Sequence, residues 1–236
     1  MKEVQVEGSL TSKVGEALRS AIVAGELSAG ELYSVHDLAA TLGVSRTPVR
    51  EALIQLASKG MVRFERNRGV RILQTSAHDL EEVFELRLLL EVPSARLAVD
   101  RIGQDGIAEM EAILGLMNRA AADGDEQSLM RHDRRFHGLI LEAAGNDRLA
   151  VFVDSLRDLV LTRGVSTAGA SRSLQDIADE HVPILERIKA GDGDGAAEAM
   201  RAHVLHTAQL LLTHEFDAST ETVDAWAAEV GGALRA

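Results

Sequence analysis

The chain of 236 residues contains no cysteine, which excludes disulfide bridges, thiolate zinc sites, iron–sulfur clusters and cysteine catalysis. Only three prolines occur and no residue is repeated in a tract, which argues against disorder, collagen-like repeats and low-complexity sequence. Helix should therefore dominate. At roughly 150 residues per domain, the length favours two small domains over one large one.

Long hydrophobic runs are also missing. No apolar segment follows Met1, and no stretch approaches the ~20 consecutive apolar residues that span a bilayer. We therefore expect neither secretion nor insertion into a membrane. Together with the lack of cysteine, this favours a protein of the reducing cytoplasm.

The net charge of -12 argues against a polyanionic partner, but the charge is unevenly distributed. Residues 1–75 carry ten basic and eight acidic side chains, and the remaining fifteen and twenty-nine follow in residues 76–236. Residues 45–71 alone contain seven basic and two acidic residues. A basic patch on an acidic protein indicates localised contact with phosphate.

The first part of the chain has the pattern of a helix-turn-helix. Ser34 and Asp37 form a capping-box pattern that opens a short helix, and Gly43 makes the turn after it. Ser45 can cap the next helix, whose first turn tolerates Pro48. That helix is predicted to bury Val49, Ala52, Leu53 and Leu56. The small Ala39, the turn residue Gly43 and the apolar Val49 are what two closely crossed helices need.

Two short strands are predicted directly after this helix. Val62 and Phe64 alternate with charged residues, and Val70 and Ile72 do so again. Residues 66–69, Arg-Asn-Arg-Gly, form the turn between the strands and give it a basic tip. The first domain is therefore predicted to be a winged helix-turn-helix.

In such a module, the start of the second helix leads into the major groove of DNA. Arg46 and Arg50 are four residues apart and share one face, and a guanidinium group matches O6 and N7 of guanine. The alternative is that these arginines only solvate a small domain, but their clustering on helix and wing favours DNA binding. The predicted DNA-binding residues are Ser45, Arg46, Thr47, Arg50, Arg68 and Gly69.

Residues 43–53 read GVSRTPVREAL and are followed by Leu56, Gly60, Val62 and the pair Arg68-Gly69. This pattern resembles the DNA-binding domain of the GntR family of bacterial transcription regulators, over roughly residues 10–73. The resemblance implies a homodimer that binds a near-palindromic operator in double-stranded DNA.

The pattern changes near residues 74–78, where strand alternation gives way to long helical periodicity. We therefore predict a mainly α protein with domains at residues 1–75 and 76–216, and a tail at 217–236 that is either a further helix or a loose end. The second domain is predicted to be an antiparallel helical bundle. Its predicted helices span 77–101, 104–122, 125–144, 147–162, 173–189 and 192–214.

Four polar side chains fall on the apolar faces of three of these helices. Asp133 and His137 are four residues apart, and therefore point to the same side of their helix. His181 and His203 each interrupt an apolar stripe on another helix. Burying four such groups without partners would cost several kcal/mol each, whereas one divalent cation satisfies all of them.

For a single histidine, a core side chain bonded to a backbone carbonyl is the better explanation. Four inward groups from three helices favour a metal, and this donor set suits Zn, with Ni, Mn and Fe as alternatives. His132, His206 and His214 are the residues most easily mistaken for ligands. Pro183 is expected to kink the helix that carries His181.

Arg87 lies on the inward face of the first bundle helix, where its permanent charge needs an anion. Either a bound effector or an internal glutamate could supply it. Segments such as residues 85–91, 133–137 and 200–203 resemble the helical effector-binding FCD domain of the FadR-like branch of the GntR family. The resemblance implies a metal held by Asp133, His137, His181 and His203, with a small carboxylate effector beside it and Arg87 neutralising that carboxylate.

These features predict a metabolite-responsive transcription regulator rather than an enzyme, and family habit favours a repressor. One rival is a metalloenzyme, because a metal with open positions can activate water. No motif supplies it with a general base, a nucleophile or a cofactor loop. A second rival is a sensor for which the metal itself is the signal.

Overall fold

The structure is a computed structural model that describes residues 10–58, 60–73, 76–161, 171–216 and 218–233. Some residues named in the sequence analysis lie outside these ranges. They are Lys59 of the basic patch, residues 74–75 at the predicted domain boundary, residue 162 at the end of a predicted helix, and residues 217 and 234–236 of the predicted tail. The chain divides into two compact units. The first contains Met1–Thr75 and Arg157–Val165, and the second contains Ser76–Leu156 and Ser166–Ala236.

Helices make up most of the first unit. Helix α1 spans Leu10–Val23, α2 spans Val35–Thr41 and α3 spans Arg46–Ser58. The hydroxyl of Ser34 accepts a hydrogen bond of 3.0 Å from the N–H of Asp37 and so caps α2, which is one of the two hydrogen bonds of the predicted capping box. Gly43 has a φ of 66°, which permits the tight turn between α2 and α3.

The core of the first unit confirms the predicted helix periodicity. The α3 residues Val49, Ala52, Leu53 and Leu56 are all buried. They pack with α1, α2 and the strands in one apolar cluster. The helix-turn-helix is thus held by side chains on the inner faces, which leaves the start of α3 at the surface.

The sheet of the first unit has one more strand than the sequence predicted. Strands β1 (Leu32–Tyr33), β2 (Val62–Glu65) and β3 (Gly69–Ile72) are ordered β1-β3-β2 and pair antiparallel. Tyr33 lies opposite Val70, and Val62 lies opposite Ile72. A strand of two residues is too short to show alternation, so β1 could not be found by pattern.

Gly69 is required by the packing of the wing. Its φ of 131° is one that residues with a side chain rarely adopt. A Cβ atom at this position would overlap the carbonyl oxygen of Tyr33 on the neighbouring strand. The packing of the wing therefore explains why a glycine occupies this position, whether or not the position contacts DNA.

Helices make up most of the described part of the second unit. Its helices are α4 (Ala77–Val99), α5 (Gly103–Asp123), α6 (Glu126–Ala143), α7 (Asp147–Leu161, whose last residues are counted with the first unit), α8 (Leu174–Asp179), α9 (Val182–Lys189), α10 (Gly193–Phe216) and α11 (Thr220–Ala233). Helix α4 packs along α10, and α5 packs against α6. Within the described ranges, no helix is both long and apolar enough to cross a membrane.

The single helix predicted over residues 173–189 is broken in two. Helix α8 ends at Asp179, and α9 begins at Val182 with His181 as its N-terminal cap residue. Pro183 occupies the first turn of α9, where a missing N–H has no intrahelical partner to lose. The kink expected at Pro183 is therefore a helix boundary.

Most of the predicted tail is helical. Within α11, Val223 and Ala227 are buried, and the indole N–H of Trp226 donates a hydrogen bond of 3.2 Å to Glu85 on α4. Of the two alternatives for this segment, the structure shows the further helix.

We expect Gly69→Ala to lower the free energy of unfolding of the first unit by more than about 2 kcal/mol, because strain at positive φ is combined with the overlap on Tyr33. Gly25→Ala is the matched control, since Gly25 has a φ of 73° but open space around its Cβ position. Its expected cost is about 1 kcal/mol.

The chain offers one reporter for each unit, since Tyr33 is the only tyrosine and Trp226 the only tryptophan. Urea unfolding of both variants should shift the tyrosine transition and leave the tryptophan transition in place. If Gly69→Ala and Gly25→Ala lowered the free energy of unfolding equally, the contact with Tyr33 would not be what requires a glycine at position 69.

Candidate functional site

The second unit contains a buried cluster of four ionisable side chains, and they are the four that the sequence singled out. Helix α6 supplies Asp133 and His137, the start of α9 supplies His181, and α10 supplies His203. Their exposed fractions lie between 0% and 6%. The fold therefore brings all four predicted ligands into one buried place.

The four side chains, here called the ligand cluster, face one another closely. Each offers one ligand atom, and these atoms lie within 4.8 Å of one another. Nε2 of His181 is 3.3 Å from Nε2 of His137 and 3.0 Å from Oδ1 of Asp133. Four atoms at such separations can surround a single ion of transition-metal size.

Each imidazole of the ligand cluster is anchored on its outer side by an oxygen atom. Nδ1 of His137 lies 2.5 Å from Oε2 of Glu91, and Nδ1 of His181 lies 2.8 Å from the carbonyl oxygen of Ile177. Nδ1 of His203 lies 3.1 Å from Oε2 of Glu180.

Carbonyl and carboxylate oxygens only accept hydrogen bonds, so these contacts place the proton on Nδ1 of each ring. With an ion at the centre of the ligand cluster, the lone pair of each Nε2 would then face that ion. This is the orientation that outer partners give to metal-binding histidines.

Both anchoring glutamates are held by an arginine. The Nε–H of Arg87 donates a hydrogen bond of 2.6 Å to Oε1 of Glu91, one turn further along α4. Arg172 donates one to Oε2 of Glu180, the atom that also contacts His203. An internal ion pair was one of the two alternatives for Arg87, and the structure contains it. Contact between Arg87 and an effector remains a prediction.

Burial keeps His203 in its neutral form. It lowers the pKa of this imidazole well below its usual value, and the neighbouring His181 and His137 act in the same direction. Only neutral imidazole binds metal, so protons compete weakly for this ligand at neutral pH. Chemically, the ligand cluster fits a divalent transition ion: four donors, three of them oriented from outside.

Periodicity did not reveal the residues that support the ligand cluster. Glu91 lies four residues after Arg87, a spacing that could have suggested an ion pair on one helix face. Glu180 lies in the break between α8 and α9, and Arg172 lies just before α8, and helical periodicity gives no signal at either place. Of the histidines set aside, His206 is exposed and its Nε2 lies 3.5 Å from Oε1 of Glu180, while His214 is exposed and His132 is half-buried.

In the first unit, the residues predicted to contact DNA are at the surface. Ser45, Arg46, Thr47 and Arg50 are exposed at the start of α3. The guanidinium carbon of Arg50 lies 5.9 Å from the centroid of the Phe64 ring on β2, which links α3 to the wing. Their exposure and charge allow contact with a phosphate backbone and base edges.

The wing tip is basic but partly neutralised. Arg68 has a side chain that is 64% exposed, and its Nη1 lies 2.8 Å from Oε2 of Glu65. An exposed pair of this kind contributes little to stability, so Arg68 can exchange Glu65 for another anion at low cost. Gly69 at the same tip is explained by its packing on Tyr33.

Comparison with known proteins gives matches to two families. Residues 82–206 match the FCD domain, and residues 10–72 match the family described as bacterial regulatory proteins, gntR family. A probable D-xylose utilization operon transcriptional repressor of Paenarthrobacter nicotinovorans is 31% identical over 83% of this chain and 86% of its own length. The gluconate operon transcriptional repressor of Bacillus subtilis is 28% identical over 76% of each chain.

Solved structures show the same fold. A putative GntR transcriptional regulator from Rhodococcus sp. RHA1 has a TM-score of 0.69 and 25% identity, over 87% of this chain and 98% of that one. E. coli McbR/YncC has a TM-score of 0.74 at 23% identity, with the same coverage.

We expect Glu91→Gln to weaken zinc binding by about 10- to 100-fold, because the partner that orients His137 loses its charge. Glu82→Gln is the control, since Glu82 is an exposed glutamate on the same helix. Competition for zinc against a chromophoric chelator measures both affinities, and Trp226 fluorescence shows that the variants are folded. Unchanged affinity in Glu91→Gln would contradict an orienting role for Glu91.

Proposed function

The chain belongs to the GntR family of bacterial regulators and carries its FCD domain, and we propose that it is a metabolite-responsive transcription repressor. In this proposal, a homodimer binds a near-palindromic operator and responds to a small carboxylate effector held beside a metal ion. The observation that carries it is that one chain combines an exposed basic helix start with a buried ligand cluster.

The DNA-binding part of the proposal rests on α3 and the wing. Arg46 and Arg50 would read base edges in the major groove, since a guanidinium group can bond two acceptors of one guanine. The hydroxyls of Ser45 and Thr47 would contact phosphates, and Arg68 would reach the neighbouring minor groove. Two copies related by a two-fold axis read two half-sites, which makes the operator a near-palindrome.

The effector part rests on the ligand cluster. Asp133, His137, His181 and His203 would hold the ion, with zinc as the expected metal and Ni, Mn and Fe as alternatives. The ion would supply the positive charge that attracts a carboxylate. Glu91 and Glu180 keep the imidazoles oriented, and Arg87 adds a second cation near the same place.

Effector binding would favour one arrangement of the two DNA-binding units of the dimer over the other. Relief of repression by about a hundredfold requires the effector to discriminate between the arrangements by roughly 2.7 kcal/mol. A repressor of this kind acts where the DNA is, so we place it in the cytoplasm.

The DNA-binding part is tested by selecting genomic fragments with the purified protein. We expect one near-palindromic site to be enriched by the native chain and lost with the double variant Arg46→Ala, Arg50→Ala. On that site, Arg46→Ala alone should cost about 1–3 kcal/mol and relax specificity at one base position. Arg131→Ala, an exposed arginine of the second unit, is the control. If Arg46→Ala weakens binding equally on every sequence, Arg46 contacts phosphate rather than a base.

The effector part is tested by measuring operator affinity with a panel of organic acids, with and without zinc. We expect one acid to release the operator only when zinc is present. His137→Ala should lose this release and keep its affinity for the operator, because the ligand cluster and α3 lie in different units. Release by zinc alone would support a metal sensor, and steady turnover of the acid would support a metalloenzyme.

A further inference from the structure

An aromatic ring of the wing lies beside one of the two arginines on the exposed face of α3. The alternation of β2 places Phe64 on the same side of the sheet as the buried Val62. Phe64 is nevertheless 36% exposed and is not among the buried residues of the apolar cluster. The guanidinium carbon of Arg50 is 5.9 Å from the centroid of this ring. The wing thus presents an uncovered ring to the helix that is proposed to read DNA.

A contact of this kind holds an arginine without using what the arginine needs for DNA. The positive charge is attracted to the face of the ring, and the ring carries no charge of its own. The N–H donors therefore remain available for acceptors on a base, and the charge remains available for the polyanion. Arg68 at the wing tip is held differently, since its partner Glu65 occupies a donor and cancels the charge. A ring is thus a partner that an arginine can keep while it binds DNA.

The groups next to Arg50 along α3 are arranged differently. Glu51 accepts a hydrogen bond of 2.8 Å from the hydroxyl of Thr11 on α1, and consecutive residues of a helix do not face each other. Arg46 lies one turn before Arg50 on the same face. In the part of the chain that the structure describes, no aromatic ring lies over Arg46. The two arginines of α3 therefore differ in that only Arg50 is held by a ring.

Holding an arginine before DNA is bound favours base recognition. A free arginine side chain loses rotamer freedom when it binds, and a partner that already restricts the side chain reduces this loss. We infer that Phe64 is a positioning residue: its ring holds the guanidinium group of Arg50 at the exposed face of α3, so the wing helps to set base specificity. The inference rests on the proposed function, because it presupposes that Arg50 reads a base.

The test selects sites from a pool of random-sequence DNA duplexes with the full-length native protein and two variants. Phe64→Leu removes the ring but leaves an apolar side chain and every charge in place, whereas Phe64→Tyr keeps the ring face. We expect Phe64→Leu to lose base preference at one position of each half-site and Phe64→Tyr to retain it. On the best duplex, Phe64→Leu should bind about 4- to 25-fold more weakly, because one exposed cation–π contact contributes about two- to fivefold and a homodimer has two.

Two further measurements distinguish positioning from a merely structural role. Phenylalanine carries no charge, so the salt dependence of the affinity should be the same in Phe64→Leu and in the native protein. The affinity for duplexes that lack the selected site should also be unchanged. Urea unfolding followed by Tyr33 fluorescence shows that the first unit of Phe64→Leu is folded, as expected for a side chain that the core does not cover.

A double-mutant cycle tests the link to Arg50 itself. In the background of Arg50→Ala, where there is no guanidinium group to hold, Phe64→Leu should have no further effect on affinity. Arg46→Ala is the matched background, since Arg46 has the same charge and is exposed on the same helix. There the full loss caused by Phe64→Leu should persist.

The inference is wrong, and Arg50 remains a proposed base reader, if Phe64→Leu keeps the native base preference or loses affinity equally on every duplex. An equally large loss in the Arg50→Ala background leads to the same conclusion. If Arg50→Ala itself leaves the base preference unchanged, the base contact proposed for Arg50 is wrong and the inference is wrong with it. Failure of the native protein to enrich any sequence would count against the proposed function as a whole.

Discussion

The hydrogen bonds on the outer side of the three imidazoles are the contacts on which the interior of the second unit depends. A buried imidazole without partners would destabilise the fold, and three of them in one place would do so severely. Glu91, Glu180 and the carbonyl of Ile177 satisfy one nitrogen of each ring and thereby decide where the other nitrogen points. The same hydrogen bonds therefore stabilise the buried imidazoles and set the direction of their metal-binding nitrogens.

Satisfying the imidazoles creates a second requirement, because each glutamate that accepts a hydrogen bond is itself a buried or half-buried charge. Arg87 and Arg172 meet this requirement from two different places in the chain. The result is two chains of contacts, each running from arginine to glutamate to histidine. An inward arginine in such a protein is thus a structural necessity even before any ligand is considered.

Much of the fold follows from the sequence because helical periodicity marks long elements well. It identified the inward faces that carry Asp133, His137 and His203, and the buried stripe of α3. Periodicity did not identify very short elements or the ends of helices. Strand β1 has two residues, and the break at His181 arises from Pro183, whose effect on a helix depends on whether it lies inside or at the start. Glu91 and Glu180 were not predicted as partners of the histidines, because a glutamate in a sequence is expected at the surface unless its partner is known.

The position of His181 between two short helices has a consequence for how the ligand cluster forms. Asp133, His137 and His203 belong to long helices, whereas α8 and α9 have six and eight residues and would be unstable in isolation. The segment that carries His181 is instead held by the packing of α8 and α9 against α4, α5 and α10, through buried residues such as Ile177, Ile184 and Leu185. The fourth ligand therefore takes its place only when the helices of the second unit have packed together, so the complete ligand cluster is a product of tertiary folding rather than of any single helix.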